Sequence, residues 1–529
     1  MDKIFSDPDL HEDADDLAFA DLLKEHDTPF DHAITEMARQ RAQLLATGKG
    51  VRRARGLTQK QVAELMDTKQ SVVSDLESGR VDPRLRTLLR YGHAIQAPFH
   101  SSFGSLETSD YLAARALAPI LTKLIREADD RQARTLAALK EALRPVPPDW
   151  TERMLKSLHG QGWAKSSIEN GDQVFSLQPG AVHLIGVSIH RDRIVGVLTE
   201  MSVPNEDDSL LEMTKSLPEN SPAEVITAVV DVVRRLYRAR DSFVLGVGVS
   251  IAGVVDKNNG KVQFSPTLRS EDQDWEGVDL ETLLQDRIRA EVDPQMFVVV
   301  ENDVNALAVW DYMRGGEESV AVLLLSGVGI GASLIVDGRV SAGAHSAAGE
   351  IGHTIVDPEG PPCRVGLDHR GCLETVASAE GILAKLELPR DNFGALAKGL
   401  DVANERVIRG DAEAIEAIAQ AGRALGSLLL STTLLLDPSL NTVYAHSHLA
   451  QPERYESARV FQAGIAETLA VLPSQRFRGV GEPNLRWHSL KRTSRAVAAS
   501  QAALWHFVQD PTRCAPATMS SLTVLALVS

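Results

Sequence analysis

Residues 297–314 read FVVVENDVNALAVWDYMR, and residues 320–340 read VAVLLLSGVGIGASLIVDGRV. The first stretch begins with an apolar run, as a buried strand does, and continues directly into a helical pattern. The second stretch places a glycine-rich turn between two apolar strands. Strands that alternate with helices predict an α/β domain, in which active sites lie at strand ends and between lobes.

The same pattern extends towards the N-terminus as far as Val182. Residues 182–201 predict two strands around a turn, and Pro222–Arg238 predicts a long helix. The apolar run Phe243–Val255 follows and predicts a buried strand, because it is too short to cross a membrane. The order of these elements predicts two similar lobes.

Five short motifs follow one another between Glu301 and Glu374. They are Glu301-Asn302-Asp303, Gly327-Val328-Gly329-Ile330-Gly331, Gly343-Ala344, Ala348-Gly349-Glu350-Ile351-Gly352-His353 and Gly371-Cys372-Leu373-Glu374. A lone Gly-x-Gly-x-Gly is a weak signal, but the ordered series is specific. With Ser378 after it, the series makes residues 180–510 resemble the ROK family of repressors and sugar kinases, within the actin-like ATPase superfamily.

The resemblance implies a sugar site. Carboxylates, amides and a histidine suit a hydroxyl-rich ring, because each can pair with adjacent hydroxyls. The positions that match the family's sugar contacts are Asn302, Asp303, Glu350, His353 and Glu374. Asp303 occupies the position of the general base in the family's kinases.

The positions that match the nucleotide-binding loops of the family's kinases depart from the family pattern. The kinases open with an Asp and a Gly-Gly-Thr turn, whereas here the Asp position is Ser188, followed by Ile189 and His190. The usual Thr of the second phosphate loop is Val328, and residues 446–448 read HSH where the adenosine loop has glycines. We therefore expect a domain that binds sugar, does not use ATP and has no kinase activity.

A metal site is a second implication of the resemblance. The family holds zinc with one His and three Cys, and here His353, Cys363 and Cys372 match, while Val365 replaces the middle cysteine. His369 can supply the fourth ligand of a structural zinc site. The alternative is that the metal is lost and His353 contacts only sugar.

A basic segment lies far upstream. Thr58 and Gln61 predict a capping box at the start of one helix, a second helix follows over Gln70–Glu77, and Pro83 opens a third. Two short helices with a tight turn form the unit that places a recognition helix in the DNA major groove. The segment resembles the XRE-type helix-turn-helix of phage repressors.

DNA contacts are predicted on this segment from residue type and position. The second helix offers Lys69, Gln70, Ser71 and Ser74 to base edges, and the arginines of the segment with Lys60 are placed to meet phosphates, while Gln59 can contact either. The predicted DNA-contacting residues are Arg52, Arg53, Gln59, Lys60, Lys69, Gln70, Ser71 and Ser74.

Basic and acidic residues are unevenly distributed along the 529 residues, and the basic ones are concentrated in this segment. The net charge is −17, yet residues 41–100 hold eleven Lys/Arg against five Asp/Glu, and residues 1–40 hold three against twelve. We predict an acidic leader with one helix over 1–40, a DNA-binding domain over 41–104, a helical connector resembling a degenerate winged helix over 105–178, and the two-lobed domain over 179–529. The leader covers either the DNA-binding unit or a dimer seam.

Composition limits the location and redox chemistry. The N-terminus is acidic and lacks the apolar segment of a secretory signal, and the chain has only three cysteines, so we expect a cytoplasmic protein without a disulfide framework. No membrane partner is expected.

The sequence therefore predicts a homodimeric transcriptional regulator of carbohydrate metabolism, a repressor that reads a palindromic operator and senses a sugar. An active sugar kinase with a regulatory DNA-binding domain is the alternative. A helix-turn-helix that acts through protein partners, as in antitoxins, is the third.

Overall fold

The structure is a computed structural model, and it describes residues 49, 52, 57–66, 68–78, 91, 117, 119–126, 134–143, 148–201, 209–266, 268, 275–314, 320–390, 392–436, 440–445, 449, 451–470, 485–510 and 514. The chain divides into two compact units, residues 1–108 and 109–529. The predicted leader lies outside the described residues. The predicted borders after residues 40, 104 and 178 stay predictions.

Two short helices form the described part of the first unit, α1 (Gln59–Leu65) and α2 (Gln70–Glu77). Thr58 caps α1 as predicted: its hydroxyl accepts from the Gln61 backbone N–H, and the Gln61 side chain accepts from the Thr58 N–H. The inward side chains are fully or nearly fully buried. They are Val62, Ala63, Met66, Val73 and Leu76.

The second unit contains helices and strands in alternation. Its helices with described bounds are α3 (Leu136–Ala142), α4 (Pro148–Gly160), α5 (Pro222–Arg238), α6 (Leu280–Glu291), α7 (Asp303–Arg314), α8 (Leu373–Ala377), α9 (Ala379–Lys385), α10 (Phe393–Ile408), α11 (Ala412–Leu436), α12 (Glu456–Leu469) and α13 (Ser494–Gln509). Its strands are β1 (Ala164–Glu169), β2 (Asp172–Leu177), β3 (Val182–Ile189), β4 (Arg193–Glu200), β5 (Leu211–Ser216), β6 (Phe243–Ile251), β7 (Val254–Val255), β8 (Val262–Phe264), β9 (Phe297–Asn302), β10 (Val320–Leu325), β11 (Ile330–Val336), β12 (Arg339–Val340), β13 (Leu440–Ala445) and β14 (Arg486–Ser489).

Two five-stranded sheets with the same topology confirm the predicted pair of similar lobes. The first has the order β5-β4-β3-β6-β9 and the second the order β12-β11-β10-β13-β14. In each, the first three strands in the chain pair antiparallel, the fourth pairs parallel with the first, and the fifth pairs parallel with the fourth. The central strand β3 is buried along its whole length, as a strand covered on both faces must be.

Helix α13 lies directly against the first sheet at two paired glycines. Gly186 on β3 is in register with Gly248 on β6. A Cβ on Gly186 would lie 1.8 Å from the Ala496 carbonyl oxygen, and one on Gly248 would lie 1.7 Å from that of Ala499. Only glycine therefore allows the helix to approach the sheet this closely.

The connector packs onto the same lobe. Strands β1 and β2 form an antiparallel hairpin after α4, as the sequence predicts. Trp163 and Phe175 belong to the core that also holds Leu184 and Phe507. The described connector residues thus extend the core of the first lobe.

Among the described residues, no helix combines the length and the apolar character that crossing a bilayer requires.

Candidate functional site

Strand β9 ends at Asn302, and helix α7 begins at the next residue, Asp303. The Asn302 Oδ1 accepts from the backbone N–H groups of Val304 and Asn305, at 2.8 and 3.0 Å, and its Nδ2 donates to the Gly253 carbonyl at 2.8 Å. These bonds cap α7 and leave one amide hydrogen of Asn302 uncommitted. The residue predicted to contact sugar is thus largely engaged in holding the strand–helix junction.

Asp303, predicted at the general-base position, is 5% exposed and points towards the last helix. Its Oδ2 lies 3.4 Å from Nη1 of Arg495, at the start of α13. Burial raises the pKa of the Asp303 carboxyl, and the Arg495 guanidinium opposes that rise. Sequence reasoning missed Arg495, because no motif surrounds it.

Glu350 and Glu374 join Asp303 in what we call the carboxylate cluster. Glu374, in the first turn of α8, is 8% exposed, and its Oε2 accepts from the Ile330 N–H at 3.3 Å. Burial raises its pKa to about 7, with Glu350 adding to the rise. Glu350 is the exposed member of this cluster. Partial loss of hydration raises the pKa of its carboxyl, and the nearby Asp303 carboxylate raises it further. The structure thus brings the three predicted carboxylates together.

His353 is one of four candidate metal ligands that lie close together. The ligand atoms of His353, Cys363, His369 and Cys372 all lie within 4.8 Å of one another. The Sγ of Cys363 is 3.7 Å from Nδ1 of His353, and both cysteines are buried. Backbone pairing of Pro362 with Arg370 and of Ile355 with Cys372 holds the loop closed.

This metal cluster has the donors of a structural zinc site. Two thiols and two imidazoles are a tetrahedral set that Zn²⁺ prefers. The Nε2 of His369 is buried without a hydrogen-bond partner in the described structure, as expected of an atom placed for a metal. The four residues present therefore fit zinc, including the predicted fourth ligand His369.

The predicted nucleotide turn has a serine at the position of the kinases' Asp. Ser188, at the end of β3, is 1% exposed, and its Oγ lies 2.9 Å from Nε2 of His190. Val328 is 49% exposed at the glycine turn between β10 and β11. His446, Ser447 and His448 lie outside the described residues.

On the DNA-binding unit, the structure separates the predicted contacts into exposed and buried ones. Lys60, Lys69, Gln70 and Ser71 are exposed, and Gln59 and Ser74 are partly exposed. Arg53 lies outside the described residues. Arg52 requires a correction: it is 7% exposed, and its guanidinium donates to both carboxylate oxygens of Glu77, at 2.6 and 2.9 Å. Because its guanidinium is buried in this ion pair, Arg52 is not available to contact a phosphate.

Two side-chain hydrogen bonds connect this ion pair to α2. Burial alone would raise the pKa of Glu77, but hydrogen bonds from Arg52, Tyr91 and Gln59 lower it. Gln59 donates to Glu77 at 3.0 Å and accepts from Gln70 at 3.3 Å. Gln70, at the start of α2, thus donates a hydrogen bond towards this ion pair through Gln59.

Comparison with known families matches both units. The ROK family matches residues 185–445, and the Helix-turn-helix family matches residues 49–99. Among solved structures, a ROK family transcriptional regulator, described as a homologue of the E. coli MLC protein, has a TM-score of 0.58 and 18% identity, and the match covers 79% of this chain and 100% of that one. At this identity the likeness is one of fold.

Curated relatives include repressors and a kinase. The xylose repressor of Bacillus spizizenii is 27% identical over 43% of this chain and 56% of its own length. The regulator NagC of Escherichia coli is 28% identical over 48% and 61%, and the glucokinase of Thermotoga maritima is 31% identical over 38% and 58%. The chain thus matches less than two thirds of the length of each of these relatives. These matches show that the chain carries a ROK domain over residues 185–445 and a helix-turn-helix ahead of it over residues 49–99.

Proposed function

We propose that this protein is a DNA-binding repressor whose ROK domain senses a sugar without phosphorylating it. One contrast carries the proposal. Asn302, Asp303, Glu350, His353 and Glu374 retain every residue type that the sugar contacts require, whereas Ser188 stands where the family's kinases have an Asp. A domain of this kind can bind a sugar ring but has lost the Asp that approaches the metal–nucleotide in those kinases.

Asp303 is suited to contact a sugar hydroxyl. The Arg495 guanidinium, 3.4 Å away, favours its charged form and opposes the rise that burial gives the pKa of this carboxyl. A charged carboxylate accepts hydrogen bonds from hydroxyl groups. Asp303 then serves as a fixed hydrogen-bond acceptor for a sugar hydroxyl.

The DNA half of the proposal depends on the exposed face of α2. Lys69, Gln70 and Ser71 are exposed together at its N-terminal end, the end that enters the major groove in helix-turn-helix proteins. Lys60 adds a cation for phosphate on α1. We propose a homodimer that binds a palindromic operator in the cytoplasm, because such units read paired half-sites.

We infer that zinc occupies the metal cluster. His353, Cys363, His369 and Cys372 would hold it, and its role would be structural, because four protein ligands leave no open position. The ion would fix the loop between Glu350 and Glu374, two members of the carboxylate cluster. With Nδ1 of His353 directed to the metal, its Nε2 remains for the sugar.

The second candidate is an active sugar kinase, and its support is the 31% identity to a glucokinase. A discriminating experiment screens the full-length protein against neutral, amino and phosphorylated sugars by thermal shift, with and without Mg·ATP. We expect one sugar to raise the Tm by mass action, without ATP turnover, and Asp303→Asn to remove the shift. Stoichiometric sugar phosphate in the ATP arm would establish the kinase instead.

A further inference from the structure

Helix α7 closes the base of the cleft between the two lobes. Leu307 on α7 lies in one buried core with Leu184 of the first sheet and Leu324 of the second. The Ser333 hydroxyl on β11 also donates to Oδ1 of Asn305 on α7, at 2.8 Å. Opening this core would expose apolar surface to water, which is unfavourable. We therefore expect the lobes to part at the exposed rim of the cleft and not at its base.

At the surface, Lys257 bridges the lobes. Its backbone N–H donates to Oγ of Ser346 at 3.1 Å, and its Nζ donates to the Gly343 carbonyl at 2.8 Å. Lys257 lies in the turn between β7 and β8, and Val262 on β8 belongs to the core of the first lobe. Its two partners lie in loop 341–349, which follows β12 of the second sheet. One exposed residue thus makes two hydrogen bonds from one lobe to the other.

Both ends of this bridge connect to predicted sugar residues. On the first lobe, Nδ2 of Asn302 donates to the Gly253 carbonyl at 2.8 Å, and Gly253 precedes Lys257 by four residues. On the second lobe, Ser346 precedes Glu350 by four residues. The bridge therefore joins the segment bound to Asn302 with the loop that presents Glu350.

The two sides of the bridge differ in how firmly they are held. The turn is braced by Asp256, whose carboxylate accepts from the Asn258 N–H and whose carbonyl accepts from the Gly260 N–H, at 2.8 and 2.9 Å. Ser346, by contrast, has a φ of 58°, in the left-handed region that favours glycine. Such a conformation persists only where the surroundings hold it, and the bond from Lys257 is one such restraint. The loop should therefore relax when the bridge breaks.

We propose that Lys257 is a latch, a positioning residue that holds loop 341–349 and Glu350 against the first lobe and slows the release of a bound sugar. The effect on sugar rests on the proposed function, whereas the hold on the loop does not. When the bridge breaks, the rim opens while α7 keeps the base closed. A sugar that is held from both lobes is then released faster, because the contact from Glu350 is no longer fixed.

Hydrogen exchange of the full-length protein, followed by mass spectrometry, tests the hold on the loop. The reporter is the Ala348 N–H, which donates to the Ala342 carbonyl within the loop at 3.1 Å. Lys257→Met keeps the apolar stem and removes the ammonium, so exchange at Ala348 should be about fivefold faster. Lys257→Arg keeps a donor and should restore the wild-type rate. Lys261→Met is the matched control, because that exposed side chain lies over Gly277 of the first lobe.

Stopped-flow tryptophan fluorescence tests the effect on sugar, with D-glucose, D-glucosamine and glucose 6-phosphate as neutral, amino and phosphorylated probes. For a probe that binds, Lys257→Met should raise the release rate about fivefold and change the association rate less than about twofold. Lys257→Arg should restore the release rate, and the Tm should be the same in all variants, because Lys257 is exposed.

The outcomes separate the latch from the proposed sugar site. Wild-type exchange at Ala348 in Lys257→Met, or equally fast exchange in Lys261→Met, would overturn the latch. An unchanged release rate would overturn its role in holding sugar. If none of the probes binds the wild type, the result counts against the proposed sugar site, and the exchange rates still decide whether Lys257 holds the loop.

Discussion

The Nη1 of Arg495 lies 3.4 Å from the Oδ2 of Asp303, so the last long helix of the chain supplies the counterion of the residue at the general-base position. The side chains are 16% and 6% exposed. Pairs of this kind are strongly coupled, because removal of one partner leaves an uncompensated buried charge.

A double-mutant cycle should therefore detect this pair. Arg495→Gln and Asp303→Asn are each expected to destabilise the protein, and the double variant should lose less than the sum, with a coupling of about 1 to 3 kcal/mol. Urea unfolding followed by tryptophan fluorescence measures the three free energies. Additive losses within about 0.5 kcal/mol would show that the two side chains do not interact.

The pH dependence of the same pair has a definite sign. The pKa of Asp303 is raised above its ordinary value of 3.8 in the folded protein, so the folded state binds more protons than the unfolded one. Its contribution to stability is therefore full below that value and declines as pH rises through the folded pKa. Arg495→Gln should raise the pKa of Asp303 in the folded protein further, so that stability declines over a wider range of pH. Asp303→Asn should remove this contribution. The free energy of unfolding is measured against pH for the wild type and for Arg495→Gln, and the profile of Asp303→Asn is subtracted from each. Identical difference profiles would contradict the assignment of this pH dependence to the Asp303–Arg495 pair.

Zinc content tests the metal cluster. Protein purified without added metal should contain one equivalent of zinc by elemental analysis, and His369→Ala or Cys372→Ala should lower both the zinc content and the Tm. Cys514→Ala is the matched control, since Cys514 lies outside the cluster and should keep the metal. Less than a tenth of an equivalent in the wild type would reject zinc.

Arg52 and Lys60 should behave differently although both are basic residues of the DNA-binding unit. Lys60→Ala should weaken DNA binding and reduce the slope of log K against log salt by about 1, as loss of one phosphate contact does. Arg52→Ala should instead destabilise the unit by about 3 kcal/mol, because Glu77 remains buried and unpaired. DNA binding over a salt series measures the loss of a phosphate contact. Hydrogen exchange of α1 and α2 measures the loss of stability. Normal exchange protection in Arg52→Ala would contradict the buried ion pair.

Gly186 tests the packing of α13 on the first sheet. Gly186→Ala places a methyl group 1.8 Å from the Ala496 carbonyl oxygen, which forces the helix to move, at a cost of about 3 kcal/mol. Gly160→Ala is the control, because a Cβ there meets nothing within 4 Å. Equal Tm values for the two variants would show that the helix does not lie against β3 in this way.

Local signals in the sequence predicted several elements with their bounds. The helices Gln70–Glu77 and Pro222–Arg238 are confirmed, the second because Ser221 and Pro222 define its start. The ordered motifs likewise predicted the ROK domain and the four members of the metal cluster. In each case the information lies within a few residues of chain.

What the sequence did not predict depends on contacts between distant segments. Arg52 and Lys60 are both basic residues of one segment, but only the fold shows that Arg52 meets Glu77 in the interior. Arg495 has no motif, and its role arises from the approach of α13 to the β9–α7 junction. Side-chain burial of this kind has no local periodicity from which to predict it.

The most direct test of the central claim measures operator affinity while sugar is titrated. The operator is first selected from genomic DNA with the full-length protein, and binding is then followed by fluorescence anisotropy, with the sugar recovered and analysed for phosphate. We expect one sugar to change the Kd for the operator at least tenfold, a coupling of about 1.4 kcal/mol, and to be recovered unmodified in the presence of Mg·ATP. No change of Kd with any sugar that binds the protein, or recovery of that sugar as its phosphate, would contradict it.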